Sequence, residues 1–79
     1  MGQAIDVLEL GCAPGSMLLR MHQQRPHHRY QGVDMAEQGL RITSERLRAA
    51  GIAAELRQGD ARTIDPRGGA DLVVSFGLI

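Results

Sequence analysis

The chain has 79 residues, enough for at most one domain, and a chain of this length buries only about 60–65% of the surface that its unfolded form exposes. Nine basic residues balance nine acidic ones, so the zero net charge gives no sign of a surface for nucleic acid. No apolar run approaches the roughly 20 residues of a membrane span, and the single Cys12 excludes an internal disulfide. We therefore expect a soluble, cytoplasmic protein with no membrane partner and no strong affinity for nucleic acid.

The first two predicted elements lie on either side of a glycine-containing loop. Residues 4–10 are mostly apolar and stop at Gly11, as expected of a buried strand. Residues 16–24 have the spacing of a short amphipathic helix, for which Ser16 is the expected N-cap and which ends before Pro26. Together these patterns predict a strand–loop–helix unit.

The next two elements repeat the order of strand and helix. Residues 28–34 predict a second strand. Residues 36–51 predict the longest helix, with Gly51 suited to the position after its last turn. The face of this helix that we expect to pack on a sheet consists of Ala36, Leu40, Thr43, Leu47 and Ala50.

Two further strands complete the pattern. Residues 52–60 predict a third strand, residues 61–69 a loop, and residues 70–79 a fourth strand rich in β-branched residues. Strands joined by helical crossovers are parallel, and two helices cannot cover both faces of a four-stranded sheet. We therefore expect the first half of a larger α/β domain with one bare sheet face. The outer edge of the fourth strand would be free to associate with a second copy.

Acidic residues and glycines recur where the predicted strands end. Glu9 and the loop 11–15 close the first strand, Asp34 the second and Asp60 the third. Carboxyl ends of parallel strands share one edge, where open α/β sheets bind ligands. Asp34 lies 23 residues after Gly11, close to the spacing at which an acidic residue accepts hydrogen bonds from ribose hydroxyls. The pattern indicates a nucleoside cofactor, although the loop is one residue shorter than the dinucleotide motif G-x-G-x-x-G.

Four segments of the sequence resemble the class I S-adenosylmethionine-dependent methyltransferases, in particular their bacterial methyltransferase-domain families. "VLELGCAPGS" is similar to their glycine-rich first motif, "GVDMAE" to the second, "RQGDAR" to the third, and "ADLVVSFGLI" to the strand that follows. The resemblance implies a Rossmann-like α/β fold with strand order 3-2-1-4, S-adenosyl-L-methionine as cofactor, and methyl transfer as the reaction. By this resemblance, residues 1–79 form a partial methyltransferase domain. No general base is identifiable among them.

The resemblance also implies roles for the residues near the loop. Glu9 would lie near the ammonium group of the methionine moiety, and Asp34 would hold the ribose hydroxyls. The backbone of residues 11–15, from Gly11 through Cys12 and Ala13 to Gly15, would pass under the cofactor. Ala13 stands where the family pattern has its middle glycine.

The remaining roles concern adenine and the methyl-transfer side. Met35 would lie against adenine, Asp60 would accept a hydrogen bond from its amino group, and the Ala61 amide would donate to the ring. Ser75 and Phe76 would line the side where the methyl group is transferred. The methyl acceptor is not identified by any of these residues.

Simpler interpretations exist for several of these residues. Asp34 could cap the second helix, Asp60 could be only a turn residue, and Cys12 is best explained as a small apolar filler because no basic residue flanks it. Three histidines lie at the end of the first helix and in its connector without a nearby carboxylate, so we expect no metal there: His22, His27 and His28.

Two alternative functions also remain open at this level. One is an oxidoreductase with an NAD-type cofactor, which the short loop disfavours. The other is a truncated or catalytically silent binding module, which the small number of strands favours. We further expect the isolated 79-residue chain to lack methyltransferase activity.

Overall fold

The computed structural model describes residues 3–60, 62–63 and 70–75, which contain a parallel sheet and two helices. The sheet order is β3-β2-β1-β4 with every pair parallel, so the predicted α/β class and strand order are confirmed. The strands are shorter than predicted at most ends. The elements are β1 (Asp6–Leu10), α1 (Ser16–Gln24), β2 (Arg29–Asp34), α2 (Glu37–Ala49), β3 (Glu55–Gln58) and β4 (Leu72–Val74).

Both helices cover the same face of the sheet. Right-handed crossovers that step in one direction, from β1 to β2 and from β2 to β3, place their helices on one side. Alternate residues of each strand point to this side, among them Val7 and its register partner Tyr30. The buried hydrophobic cluster on this face comprises Val7, Cys12, Leu18, Tyr30, Leu47 and Ile52.

The opposite face is covered at its centre, contrary to the expectation of a bare face. Leu8 and Val33 point away from the helices by strand alternation, yet their exposed fractions are 3% and 0%. At the border of this face, Glu55 and Arg57 of β3 are exposed. On this face, exposure therefore increases from Leu8 and Val33 at the centre to Glu55 and Arg57 of β3.

The start of α1 differs from the prediction. Gly15, with φ of 96°, is the N-cap residue, and no side chain caps the helix. Ser16 is instead the first helical residue, and its Oγ accepts a hydrogen bond from Arg46 Nη1 at 3.2 Å. The loop reaches the helix through a left-handed glycine, so the hydroxyl of Ser16 is left free to contact α2.

The end of α2 follows the prediction closely. Gly51 has φ of 73°, and its N–H donates to the Arg48 carbonyl at 3.0 Å. The N–H of Ile52 donates to the Leu47 carbonyl at 2.9 Å, and both of these side chains are buried. This is a Schellman motif, in which glycine takes the left-handed position and an apolar pair seals the turn.

The buried face of α2 is narrower than predicted. Thr43 and Leu47 are buried and Leu40 is half-buried, whereas Ala36 and Ala50 flank the helix and are exposed. The packing surface therefore spans the middle of the helix. No helix in the described ranges is long and apolar enough to cross a membrane.

Candidate cofactor site

The loop between β1 and α1 is tied to the end of β2. The N–H groups of Gly11 and Cys12 both donate to the Val33 carbonyl, at 2.7 and 3.1 Å. The loop also closes on itself, because the Gly15 N–H donates to the Cys12 carbonyl at 2.8 Å. The loop backbone is thus held against the carboxyl edge of the sheet, where the sequence predicts a ligand.

Asp34 joins this loop to the start of the next connection. Its Oδ2 accepts a hydrogen bond from the Ala13 N–H at 3.1 Å, and its Oδ1 accepts one from the Ala36 N–H at 2.9 Å. Ala36 is the N-cap residue of α2, so Asp34 bonds the amide that immediately precedes the helix and does not itself occupy the N-cap position. The carboxylate is half-buried and holds the middle of the loop.

Glu9 is the most unusual group of the site. It lies in β1 on the helix-covered side and is only 2% exposed. Its Oε1 is buried and has no hydrogen-bond partner in the part of the chain that the structure describes. Burial, together with the negative charge of Asp34, raises the pKa of the Glu9 carboxyl to about 7. A carboxylate in this state is an unsatisfied acceptor for a cationic donor.

Cys12 is buried and unreactive. Burial raises the pKa of its thiol to about 11, with smaller contributions from the charges of Glu9 and Asp34. The side chain rests over Gly32 of β2, where an added Cβ would lie 2.6 Å from Cys12 Sγ. The interpretation of Cys12 as an apolar filler therefore fits the structure, and Gly32 provides the space for it.

Asp60 forms a turn and an ion pair after β3. Its carboxylate accepts from the Arg62 side chain, with Arg62 Nη2 to Asp60 Oδ2 at 2.7 Å, and from the Arg62 N–H at 2.9 Å. These hydrogen bonds with Arg62 hold the pKa of Asp60 down at about 2. The Thr63 N–H donates to the Asp60 carbonyl at 2.9 Å. The structure thus agrees with the turn interpretation and leaves the predicted contact with adenine as a prediction.

Met35 and Ser75 lie at the same edge of the sheet, and within the described residues neither makes a hydrogen bond to the loop. Met35 follows β2 with 62% of its surface exposed, and its carbonyl accepts from Gln58 Nε2 at 3.1 Å. Ser75 is exposed immediately after β4. Ala61 and Phe76 lie outside the described residues.

Helix α2 contributes three contacts to the loop that the sequence patterns did not single out. An added Cβ at Gly39 would lie 2.8 Å from the Ala13 Cβ, and one at Gly15 would lie 2.8 Å from Thr43 Cγ2. Arg46 Nη1 donates to the Pro14 carbonyl at 3.1 Å. A glycine within a predicted helix was the available signal, because glycine there costs stability unless close packing requires it.

The histidines lie at the opposite, amino edge of the sheet. His28 Nδ1 accepts a hydrogen bond from the Ile5 N–H at 3.2 Å, while His27 is exposed. Within the described ranges no group of three His, Cys, Asp or Glu side chains could hold a metal ion. His28 therefore has a structural role at the entry into β1.

The family model described as "Methyltransferase domain" matches residues 7–79. The chain belongs to the methyltransferase-domain family. A curated relative is the carboxy-S-adenosyl-L-methionine synthase of Campylobacter hominis, which is 26% identical over 72 residues, covering 91% of this chain and 31% of the relative. The chain thus spans about a third of that enzyme's length.

Solved methyltransferase structures share the fold. The plantazolicin methyltransferase BpumL, in complex with SAH, matches with a TM-score of 0.76 and 20% identity over 94% of this chain and 28% of its own. The StiE O-MT structure matches with a TM-score of 0.78 and 27% identity over 87% of this chain and 25% of its own. The family and these neighbours indicate S-adenosylmethionine as the cofactor of this methyltransferase-domain chain.

Proposed function

We propose that this chain forms the cofactor-binding part of an S-adenosylmethionine-dependent methyltransferase. The observation that carries the proposal is the loop 11–15, held to β2 by Asp34 beside the unpartnered, buried carboxyl of Glu9. The family match over residues 7–79 supports the same conclusion. These residues do not identify the acceptor of the methyl group.

The charges of the site fit a cationic cofactor. S-adenosylmethionine carries a positive ammonium group and a sulfonium centre, and when bound it supplies the methyl group for nucleophilic displacement. Burial of Glu9 beside Asp34 creates a place where a positive donor is favoured, because it would satisfy Oε1 and relieve the repulsion between the two carboxyls. Glu9 would therefore bind the ammonium group, and the loop backbone would orient the rest.

Asp34 has capacity for the ribose hydroxyls in addition to its two amide contacts. Each carboxylate oxygen has about two acceptor positions, and only one backbone amide occupies each oxygen here. The exposed side chain of Met35 next to it is available as an apolar surface for adenine. Asp60 would have to share its carboxylate between Arg62 and the adenine amino group. The role of this chain is thus to bind and orient, which lowers the barrier of a displacement reaction by alignment.

Calorimetry with S-adenosylhomocysteine and with NAD, on the protein in its natural length, tests the proposal. We expect dissociation constants in the micromolar range for S-adenosylhomocysteine, about −7 to −8 kcal/mol, and no measurable binding of NAD. Asp6→Ala, at the other end of β1, serves as the control and should bind S-adenosylhomocysteine as well as the unchanged protein. Binding of NAD in preference to S-adenosylhomocysteine would contradict the proposal and favour the oxidoreductase alternative.

We further propose that the isolated 79-residue chain is inactive and associates through β4. Within the described residues β4 pairs only with β1, and Leu72 is 47% exposed at this edge of the sheet. An unpaired apolar edge strand is a template for pairing with another copy. Light scattering after size-exclusion chromatography should show oligomers that Leu72→Lys reduces, with Ile42→Lys on the exposed side of α2 as the control. A monodisperse monomer would contradict this proposal.

A further inference from the structure

Gly39 lies in the first turn of α2, directly beside the loop 11–15. A Cβ at this position would lie 2.8 Å from the Cβ of Ala13 and 3.5 Å from that of Ala36. The first distance is far below van der Waals contact, and Ala13 Cβ is fixed to the loop backbone with no rotamer that could move it away. The space at Gly39 is therefore already occupied by the methyl group of Ala13.

This contact explains how the loop accommodates its departure from the family's glycine pattern. In the described ranges only glycines have positive φ, so the backbone of Ala13 does not itself need glycine. What Ala13 needs is room for its methyl group, and the side facing α2 provides it only because residue 39 has no side chain. The two positions are thus complementary in size.

We propose that Gly39 is a positioning residue that sets the place of Ala13 and, through it, of the cofactor-binding loop. This inference rests on the proposed function, because it treats the loop as the cofactor's seat. Gly39 contacts the loop and has no assigned contact with the cofactor itself. The size of residue 39 therefore limits the size of residue 13, and the pair determines where the loop backbone lies.

A methyl group at position 39 would displace the loop more readily than the helix. Helix α2 is anchored in the core by Thr43 and Leu47, which are 0% and 2% exposed. At residue 13 itself the loop is held by one hydrogen bond, from the Ala13 N–H to Asp34 Oδ2 at 3.1 Å, while the neighbouring residues Cys12 and Pro14 bond to Val33 and Arg46. Moving Ala13 away from α2 would lengthen that bond and shift the carboxylate that is proposed to bind ribose.

Three variants test the complementarity in the protein at its natural length: Gly39→Ala, Ala13→Gly and the double variant. Alanine is the better helix former, so Gly39→Ala favours α2 while crowding Ala13. We expect it to weaken S-adenosylhomocysteine binding about tenfold, a size typical of overpacking. In the Ala13→Gly background the same change at residue 39 has no methyl group to crowd, so the double variant should bind within about threefold of Ala13→Gly and more tightly than Gly39→Ala. Gln38→Ala changes the exposed residue next to Gly39 in α2 and is the control for changes in helix propensity.

The hydrogen exchange rate of the residue 13 amide provides a second readout that does not require ligand. Gly39→Ala should speed this exchange relative to the amides of α2, and the double variant should slow it again. Unchanged affinity and unchanged exchange in Gly39→Ala, or a double variant no better than Gly39→Ala, would overturn the inference. If the unchanged protein binds no S-adenosylhomocysteine, the proposed function fails, and the exchange rates still decide whether residues 13 and 39 are coupled.

Discussion

Strand β1 has an acidic residue near each end, and the two are treated in opposite ways. Asp6 lies at the amino end, where Arg29 Nε donates to its Oδ1 at 2.6 Å and keeps the pKa of the carboxyl low. Glu9 lies near the carboxyl end, buried, with an oxygen that has no partner in the described ranges. The chain satisfies its charge at one end and leaves it unsatisfied at the other.

The difference places a destabilising feature of the fold beside the proposed cofactor site. A buried carboxyl without a partner destabilises a fold, whereas an exposed ion pair contributes little in either direction. The unsatisfied group lies beside a loop that is held by Asp34 and supported by α2. Such a group is expected at a site that a cationic ligand completes.

Removing the carboxylate that holds the loop should give the largest loss of binding. Asp34→Ala leaves the amides of Ala13 and Ala36 without acceptors and removes the proposed ribose contacts. We expect S-adenosylhomocysteine affinity to fall about ten- to a hundredfold, as for loss of a charge-assisted contact of about 1.5–3 kcal/mol. Asp34→Asn, which keeps one acceptor oxygen, should lose less. Unchanged affinity in a calorimetric titration of Asp34→Ala would mean that Asp34 is only structural.

Replacing the buried carboxyl of Glu9 by an amide should remove the unsatisfied charge at the carboxyl end of β1. Between pH 4.5 and about 7 the folded state keeps a proton on Glu9 that the unfolded chain has released, so the free energy of unfolding falls as pH rises. Glu9→Gln should remove this slope and stabilise the protein by about 1–3 kcal/mol at pH 7, with no gain below pH 4.5.

The same variant should weaken binding, because the amide cannot pair with an ammonium group as a charged partner. Chemical denaturation at several pH values and calorimetry with S-adenosylhomocysteine measure the two effects. A Glu9→Gln protein that is more stable and also binds as tightly as the unchanged protein would show that the buried carboxyl has no part in binding.

The pH dependence at the amino end should have the opposite sign. His28 Nδ1 accepts the Ile5 N–H, and burial together with the charges of His27 and Arg25 lowers the pKa of His28. The unfolded chain therefore binds the proton more readily, and stability that is fully present above pH 6.5 is lost as pH falls from 6.5 through the lower pKa of the folded state. His28→Asn, which retains an acceptor but does not titrate, should flatten this part of the curve. A slope unchanged in His28→Asn would assign it to another group.

The contact from α2 to the loop should give the smallest effect. Arg46 is exposed, and its Nη1 donates to the Pro14 carbonyl and to Ser16 Oγ at 3.1 and 3.2 Å. Arg46→Ala should reduce S-adenosylhomocysteine affinity about two- to threefold, in line with exposed polar contacts. Arg41→Ala on the same helix is the control and should have no effect. A tenfold loss of affinity in Arg46→Ala would contradict this expectation and would mean that the Arg46 contacts are needed to hold the loop in place.

Much of this architecture follows from patterns within short stretches of sequence. Short apolar segments predicted all four strands, and Gly51 marked the end of α2 because the left-handed position after a helix favours glycine. The resemblance implied the strand order, which the structure confirms. The prediction of Ser16 as the N-cap was wrong. Gly15 is the N-cap residue instead, because glycine can take the left-handed conformation that ends the loop.

The sequence by itself determined the order of the elements and placed Glu9, loop 11–15 and Asp34 at one edge of the sheet. These features depend on residues within one or two turns of each other, or on the direction of parallel strands. Only the tertiary structure decided that Asp34 bonds the Ala13 amide, 21 residues away, and that Arg46 reaches Pro14, 32 residues away. It also decided that Gly39 makes room for Ala13. These contacts depend on how closely α2 packs against the sheet, which is a sum over many side chains distant in sequence.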